Sequence, residues 1–289
     1  MSKLDAPYIP FSQRNGFEPM PPQLKIGQIS KHFRQVIGYY ISLEREKNTR
    51  QSLRGDGGFS DEWTRLTKDI HVLLNQKNIS SYPHRTWEWS EYFTVIANEG
   101  SIANLFDLIE FLLRHPKCRT VFKDELIGAF VTARSAYRVI DSQIVAIGSN
   151  EQAVAFEVAI KDAENGDALS ARTHLVASAV CLRNGDWAGS VRESIHAVES
   201  AAIRLSPDAT TLGVALAKLQ SSGQVHKGLR TAFSALYGYT SNAEGVRHAL
   251  VFDEEAKVDE TDALFMLGAC ASFVSYLLAR SASIGVNPD

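Results

Sequence analysis

The sequence predicts an all-α protein in two parts, an N-terminal helical domain with a small β-hairpin and a helical bundle behind it. Three observations support this fold class. Apolar residues recur at intervals of three and four along most of the chain, which is the period of an amphipathic helix. Helix-capping residues precede many of these runs. One β-branched run, at about residues 137–147, predicts a two-stranded hairpin instead.

The N-terminal part, residues 1–148, begins with a proline-rich arm, since five of the nine prolines fall in the first 22 residues. Proline removes backbone donors and restricts its neighbour, so this arm cannot remain helical for long. Helical periodicity follows it. The expected helices carry Ile26 to Leu43, Trp63 to Leu74 behind Ser60 as N-cap, Thr86 to Asn98, Ile102 to Leu113 behind Ser101, and Val121 to Ala136.

The C-terminal part, residues 149–289, is expected to be wholly helical. Its first helix opens on a capping box, Ser149 to Gln152, and Asp167 and Asp186 are expected to open the next two. Two shorter helices should cover residues 209–219 and 225–237, followed by a loop over residues 238–245. The final helix, at about residues 259–280, is apolar over most of its circumference. We therefore expect Leu264, Phe265, Leu267, Phe273, Val274 and Leu277 to form the centre of the bundle.

Composition is that of an ordinary globular protein, with 45% hydrophobic and 22% charged residues and a net charge of −3. Residues 151–289 hold 11 Lys and Arg against 17 Asp and Glu, which argues against non-specific binding to duplex nucleic acid. The N-terminus has no apolar signal segment, and the longest mostly apolar run, residues 264–278, is too short to span a bilayer. Three widely spaced cysteines fit a reducing compartment. We expect a cytoplasmic protein with no membrane partner.

The common catalytic and phosphate-binding motifs, among them GxxxxGK[ST], GxGxxG, GxSxG and HExxH, are absent from the sequence. The eight histidines do not cluster along the chain, and His115 and Cys118 have no further ligands nearby. The sequence therefore predicts neither a metal site nor a cofactor.

Two Arg/His pairs are candidates for chemistry. Arg192 and His196 stand four apart on one helix, where they could equally form a surface ladder with Glu199. Arg247 and His248 follow the expected loop that carries Tyr239 and Asn242. Arginine can hold a phosphate bidentately and histidine can transfer protons near neutral pH, so this second group could be a polar site. It could also be a loop whose Arg and His satisfy helix C-terminal carbonyls.

The chain resembles a family of phage-defence proteins. The opening segment Pro10-Phe-Ser-Gln-Arg-Asn-Gly-Phe-Glu-Pro-Met-Pro-Pro-Gln-Leu-Lys and the segment from Tyr137 to Glu151 are similar to the AbiJ-type N-terminal domain of abortive-infection proteins. The C-terminal half resembles the HEPN-like helical domain that follows it in such proteins. The matching pieces there are Ser190–Ser200, Thr211–Leu216, Leu236–Ser241 and Gly245–Leu250.

The resemblance implies a sensor-like domain joined to a HEPN bundle, a fold that in many cases is a dimeric RNase working without metal. On this reading RNA is the substrate and the protein is a homodimer. His248 is the general base on a ribose 2′-hydroxyl and Arg247 stabilises the phosphorane. Tyr239, Asn242, Arg192 and Glu199 are expected to support them. The family motif separates Arg and His by four to six residues, whereas Arg247 and His248 are adjacent.

Two other interpretations stay open. HEPN-like domains can be non-catalytic binding or dimerisation modules, here sensing a phage-derived trigger or docking a partner protein. The aromatic-rich segment Tyr82–Phe93 would then be a candidate interface, although the same pattern fits the start of a core helix. In the other interpretation, Tyr237 or Tyr239 is the substrate of a partner nucleotidyltransferase.

Overall fold

The computed structural model of the chain describes residues 10–19, 24–50, 57–242 and 258–282. Within these ranges the protein is a succession of helices with one two-stranded sheet, which confirms the predicted all-α class with a small hairpin. The chain divides into two compact units, Met1–Ile144 and Val145–Asp289.

Six α-helices lie in the described residues of the N-terminal unit. They are α1 (Phe11–Arg14), α2 (Lys31–Lys47), α3 (Asp61–Asp69), α4 (Thr86–Glu99), α5 (Ile102–Arg114) and α6 (Thr120–Thr132). A π-helical segment, Ile70–Leu74, continues α3, and a 3₁₀ turn covers Ile79–Ser81. The predicted caps are confirmed: the Ser60 hydroxyl accepts from the amide of Trp63, and that of Ser101 from the amide of Asn104. Each cap satisfies an amide that the helix itself leaves without a partner.

Aromatic side chains make up much of the N-terminal core. Phe33 and Phe130 meet edge to face with ring centroids 4.8 Å apart, and both are fully buried. The aromatic-rich segment Tyr82–Phe93 contributes mainly to this core, because Tyr82, Trp89 and Phe93 are buried there. Trp87, by contrast, has 57% of its surface exposed. The buried rings of this segment therefore serve the core of the N-terminal unit, as expected for the start of a core helix.

The predicted hairpin is present, with strands β1 (Tyr137–Ile140) and β2 (Gln143–Ala146). Asp141 and Ser142 form its two-residue turn, with φ of 51° and 60°. Two positive φ values are what a type I′ turn requires, and that turn matches the twist of paired strands. Glu110 of α5 fixes the hairpin, since its Oε1 accepts from the amide of Ile144 at 2.7 Å. A lone hairpin is marginally stable, so this anchoring matters.

The described residues of the C-terminal unit form a second set of helices. They are α7 (Asn150–Asn165), α8 (Leu169–Arg183), α9 (Trp187–Leu205), α10 (Leu212–Ser221), α11 (Lys227–Asn242) and α12 (Glu260–Ala282). The Ser149/Gln152 capping box and the Asp186 N-cap are both confirmed. Because α8 and α9 are joined by only three residues, they pack as antiparallel neighbours. The last helix, α12, packs on α9, α7 and α8.

Several predicted boundaries were wrong. The helix predicted from Ile26 begins only at Lys31, where Ser30 caps it. The helix predicted to end at Ala136 stops at Thr132, because the chain turns there to enter the hairpin. Asp167 does not open α8. It lies in the left-handed region, with φ of 52°, as part of the turn that ends α7, and Ala168 precedes the first turn of α8.

Helix α12 is central to the C-terminal unit, as predicted, but Phe265, which was expected at the centre, is exposed. Leu267, Val274 and Leu277 are at most 1% exposed, whereas Phe265 is 58% exposed. Among the described residues, Glu260–Arg280 is the one segment that is long and apolar enough to cross a bilayer, with a mean hydropathy of 1.7. Half of this segment is buried inside the structure. The core helix of a globular protein can have the same length and apolar composition, so these two properties do not by themselves indicate a membrane span.

Candidate functional site

The loop predicted over residues 238–245 is in large part helix. Helix α11 continues to Asn242, so Tyr239 and Asn242 belong to its last turn. The prediction took Gly238 as the end of the helix. A single glycine costs a helix roughly 1 kcal/mol relative to alanine, which neighbouring turns can offset. The two predicted supporting residues therefore lie on a helix, where a loop was predicted.

Arg247 and His248, the predicted catalytic pair, lie outside the described residues. They follow the end of α11 by five and six residues in the chain. Their role as general base and phosphate ligand remains a prediction from the sequence.

The other two predicted residues lie on α9, seven positions apart. At 1.5 Å per residue this spacing separates Arg192 and Glu199 by about 10.5 Å along the helix axis. Arg192 is exposed. Glu199 is half-buried, and its Oε1 accepts from the amide of Leu212 at 3.0 Å. Leu212 is the first residue of α10, so Glu199 caps that helix and places its charge at the positive end of the helix dipole. Glu199 therefore has a structural task of its own.

A cleft of about 430 Å³ opens between the α10–α11 connection and the end of α12. We call it the cationic cleft. Its polar and aromatic lining residues are Gln220, Gln224, His226, Lys227, Tyr276 and Arg280. Among the described residues that line it, none carries a carboxylate, although acidic residues outnumber basic ones in this half of the chain. A solvent-open concavity with cationic walls favours anionic ligands.

Side-chain contacts hold the walls of the cationic cleft in place. The Arg280 guanidinium lies over the Tyr276 ring, 5.4 Å from its centroid, a cation–π distance. The Tyr276 hydroxyl is directed at the carbonyl of Gln224, at 3.4 Å. On the opposite wall, Arg230 donates to the Gln220 amide oxygen at 2.9 Å. The cleft thus has one cation stacked on an aromatic ring and a second, at Lys227, exposed to solvent.

His226 ties the cleft to the start of α11. Its Nδ1 accepts from the backbone amide of Gly228 at 3.1 Å, so in the neutral ring the proton is carried by Nε2. Lys227 is the first residue of α11, which places the amino end of that helix at the cleft. Helix amino ends carry partial positive charge and favour anions.

Sequence reasoning missed these cleft residues. Lys227 and Arg280 are 53 positions apart on different helices, and neither belongs to a motif. The one available signal was local: His226 and Lys227 are adjacent cationic or titratable residues at a helix start, in an acidic half of the chain. Nothing in the sequence connected them to Tyr276 and Arg280.

Two histidines that are 22 residues apart in the sequence lie together in the structure. His174 of α8 and His196 of α9 lie with ring centroids 5.3 Å apart, edge to face. Glu193 lies beside them, and its Oε2 contacts His174 Nδ1 at 2.7 Å. Among the described residues, this is the group whose ligand atoms are close enough to hold a metal ion.

Burial makes two of the three cysteines poor nucleophiles. It raises the pKa of the thiols of Cys118 and Cys270 to about 12. Burial is also the main reason why the pKa of Cys181 is raised, with added effects from Asp186 and Glu193. The reactive species of cysteine is the thiolate, so none of these residues is prepared for nucleophilic catalysis.

Comparison with protein families gives a match over the first half of the chain. The family model of AbiJ N-terminal domain 4 matches residues 10–162, which is more than half of the chain and extends into α7. No curated protein and no solved structure matches the sequence. An AbiJ-related domain suggests a part in abortive infection, the bacterial defence against phage. The chain belongs to the AbiJ N-terminal domain 4 family.

Proposed function

We propose that this protein is a phage-defence effector whose C-terminal helical unit is a HEPN-like, metal-independent endoribonuclease. It acts on RNA in the cytoplasm as a homodimer, after the N-terminal domain has met a phage-derived trigger or partner protein. The observation that carries the proposal is the cationic cleft, which offers Lys227, Arg280 and a helix amino end to an anion in an otherwise acidic half of the chain.

The cleft has the two features that single-stranded RNA binding needs. Lys227 and Arg280 supply positive charge for the phosphate backbone. Tyr276 supplies an aromatic ring, and base–aromatic stacking contributes roughly 1–3 kcal/mol per base without demanding a sequence. Because the rest of this half is acidic, RNA should be drawn to the cleft and repelled elsewhere. The cleft thus supports localised binding of a flexible strand over coating of a duplex.

The chemistry is assigned to Arg247 and His248. His248 removes the proton of a ribose 2′-hydroxyl, the oxygen attacks the adjacent phosphorus, and the bond to the next 5′-oxygen breaks. Arg247 stabilises the charge that builds up on the phosphorane oxygens. The leaving 5′-oxygen takes a proton from water, so the products are one fragment with a 2′,3′-cyclic phosphate and one with a 5′-hydroxyl. No step requires a metal ion.

The cleft and the end of α11 that leads to this pair are well separated. Lys227 and Asn242 are the first and last residues of α11, about 23 Å apart at 1.5 Å per residue. A stacked strand rises by about 3.4 Å per nucleotide, so roughly seven nucleotides would span the length of the helix. We therefore propose that a strand held at the cleft and running along α11 needs roughly seven nucleotides to reach Asn242, the last residue of that helix.

The test is incubation of the purified full chain with total RNA in EDTA. Wild type should cleave it to fragments with cyclic phosphate ends, and His248→Ala should not. Arg247→Lys should also fail, because a point charge does not replace the bidentate guanidinium. His32→Ala, at an exposed histidine of α2, is the matched control and should cleave as wild type does. Loss of cleavage in a folded His248→Ala protein supports the proposal.

One observation favours a second candidate function. Arg247 and His248 are adjacent in the sequence, and adjacent helical residues point about 100° apart, so a shared site requires a non-helical backbone there. The alternative is a non-catalytic module that binds RNA or a partner protein. RNA binding without cleavage by wild type, or full cleavage by a folded His248→Ala protein, would overturn the catalytic assignment. The first of these results would leave the module as the better account.

A further inference from the structure

Helices α8 and α9 bring two imidazoles and one carboxylate together at a half-buried position of the C-terminal unit. His174 comes from α8, and Glu193 and His196 come from α9. One ligand atom of each lies within 4.8 Å of those of the other two. The side chains of His174 and Glu193 are 31% and 23% exposed, so the group is reachable from solvent yet partly walled by the two helices.

The spacing on α9 is one that helices use to bind metals. Glu193 and His196 are three residues apart, and residues at this interval lie on the same face of a helix. A Glu-x-x-His pair of this kind, facing ligands on a neighbouring helix, is how ferritin-like bundles hold iron or manganese. Here the facing helix contributes His174, which completes a set of three.

The two helices are held close and in fixed register beside this group. The Ser178 hydroxyl, one turn from His174, donates to the carbonyl of Ser190 at 2.8 Å. It also lies 2.7 Å from the hydroxyl of Ser194, and all three serines are fully buried. Small side chains allow a close approach of α8 and α9, and the buried hydrogen bonds fix their alignment. The ligand group is therefore supported by a rigid part of the helix pair.

We propose that His174, Glu193 and His196 bind one divalent first-row transition-metal ion, which joins α8 to α9. Two imidazole nitrogens and a carboxylate oxygen are the three-ligand set of mononuclear zinc sites that leave a fourth position to water, and of non-haem iron(II) sites. Mg²⁺ and Ca²⁺ prefer oxygen ligands, so they should bind here weakly. The inference does not depend on the proposed RNA cleavage.

The geometry needs only small adjustments to accept the ion. A tetrahedral Zn²⁺ with bonds of ~2.0–2.1 Å places its ligand atoms roughly 3.4 Å apart. The present separations run from 2.7 Å between His174 Nδ1 and Glu193 Oε2 to at most 4.8 Å within the group, a range that includes this value. Rotation of partly exposed side chains can close the longer distances. The ion replaces the His174–Glu193 hydrogen bond with two coordinate bonds.

A simple ion pair does not account for all three residues. The hydrogen bond between His174 and Glu193 involves one of the two imidazoles and gives no role to the other. The second, His196, adds an edge-to-face ring contact and a further nitrogen on the same side of the helix pair. The metal proposal therefore predicts that His196 is as necessary as His174, whereas the ion pair predicts that it is dispensable.

The test uses full-length protein from which any histidine tag has been removed. The chain is stripped with EDTA, dialysed against Zn²⁺, and its bound metal is counted by elemental analysis. Wild type should retain one ion per chain, and its melting temperature should rise with Zn²⁺ and not with Mg²⁺, since a ligand that binds only the folded state stabilises it. Co²⁺ loading should give the visible absorption of a four- or five-coordinate ion with nitrogen ligands.

Three substitutions decide the assignment, namely His174→Ala, His196→Ala and the isosteric Glu193→Gln. Each should reduce the bound Zn²⁺ well below one per chain, while circular dichroism shows an intact fold. His32→Ala, far along the chain in α2, should bind as wild type does. If an alanine variant fails to fold, Glu193→Gln and the Co²⁺ spectrum still decide. Wild type that retains no stoichiometric Zn²⁺, or a folded His196→Ala protein that retains it fully, would overturn the proposal.

Discussion

Glu44 of α2 is almost completely buried, and its carboxylate is held by the guanidinium of Arg119, 75 residues later at the start of α6. Arg119 Nε donates to Glu44 Oε1 at 2.8 Å, and its Nη2 donates to Oε2. Asn48 adds a further donor to the carboxylate. About half of the Arg119 side chain is exposed, whereas that of Glu44 is buried, so Arg119 lies at the surface of the N-terminal unit and neutralises a buried carboxylate.

We expect Arg119→Met to destabilise the protein by about 2 kcal/mol. Removing one partner of a buried ion pair costs roughly 3–5 kcal/mol, and the exposure of Arg119 reduces that figure through solvent screening. Denaturant unfolding would measure it. Arg50→Met is the matched control, because the Arg50–Asp61 pair is exposed on both sides and should contribute less than ~0.5 kcal/mol. Equal effects of the two substitutions would contradict this account of Glu44.

Helix α12 offers a matched pair of substitutions. Leu267→Ala should cost roughly 2–5 kcal/mol, because Leu267 is 1% exposed and its removal leaves a cavity. Phe265→Ala, two residues earlier, should cost less than ~0.5 kcal/mol, since Phe265 is 58% exposed. Denaturant midpoints at constant m-value give both figures. A large cost at Phe265 would mean that its exposed ring is covered in solution by another chain or surface.

Cys270 should make stability fall at high pH. Burial raises the pKa of its thiol from 9.0 to about 12. Below pH 9 the thiol is protonated in both states and its contribution is constant. Between pH 9 and 12 only the unfolded state releases the proton, so the free energy of unfolding falls by about 1.4 kcal/mol per pH unit.

The measurement compares wild type with Cys270→Ala at pH 8 and pH 10. The loss of unfolding free energy between these two values should be about 1.4 kcal/mol greater in wild type. Taking the difference between the two proteins cancels the titration of lysines and tyrosines that both share. Identical losses in the two proteins would show that Cys270 titrates in the folded state as it does in the unfolded one.

Glu199 should prove structural. Glu199→Ala removes the acceptor for the Leu212 amide and should cost about 1 kcal/mol, as for the loss of a helix N-cap. Glu199→Gln retains an oxygen acceptor for this amide. It should cost only a few tenths of a kcal/mol, because it removes the favourable interaction of a negative charge with the amino end of α10. Neither change should affect RNA cleavage at a temperature where both proteins are folded. If folded Glu199→Gln protein lost RNA cleavage, the structural role would be insufficient and Glu199 would be assigned to the catalytic site.

Local sequence rules predicted the parts of the fold that depend on neighbouring residues. Ser60, Ser101 and Asp186 cap helices as expected, because a cap is decided within three residues. The hairpin was found from β-branched residues around Asp141 and Ser142. The errors lie where two local tendencies compete. Gly238 predicts the end of a helix, but α11 continues through it to Asn242.

The site residues depend on contacts between distant elements, and the sequence gives little sign of these. Glu193 and His196 show a helical ligand spacing, but their neighbour His174 is 19 residues from Glu193 on another helix. Likewise, nothing local links Lys227 with Arg280. Periodicity shows which face of a helix is apolar. It does not show which polar residues of two helices meet once those faces are packed.

The cationic cleft makes a quantitative prediction about salt. If Lys227 and Arg280 each neutralise one phosphate of single-stranded RNA, the slope of log affinity against log salt should become shallower by about 0.7 for each one removed. Lys227→Ala and Arg280→Ala should therefore weaken RNA binding most at low salt, and the double variant should lose about 1.4 from the slope. Of the two single substitutions, Arg280→Ala should weaken RNA binding more, because the Arg280 guanidinium also packs on the Tyr276 ring.

Fluorescence anisotropy with a labelled oligonucleotide of more than roughly ten nucleotides, over a salt series, measures these slopes. The length exceeds the roughly seven stacked nucleotides that would span α11. His248→Ala as the common background prevents cleavage during the titration. Lys161→Ala, at an exposed lysine of α7 outside the cleft, is the charge-matched control and should leave the slope nearly unchanged. Equal changes of the salt slope in Lys161→Ala and Lys227→Ala would show that RNA affinity depends on the overall charge of the protein. That result would contradict the assignment of the cleft as the binding site.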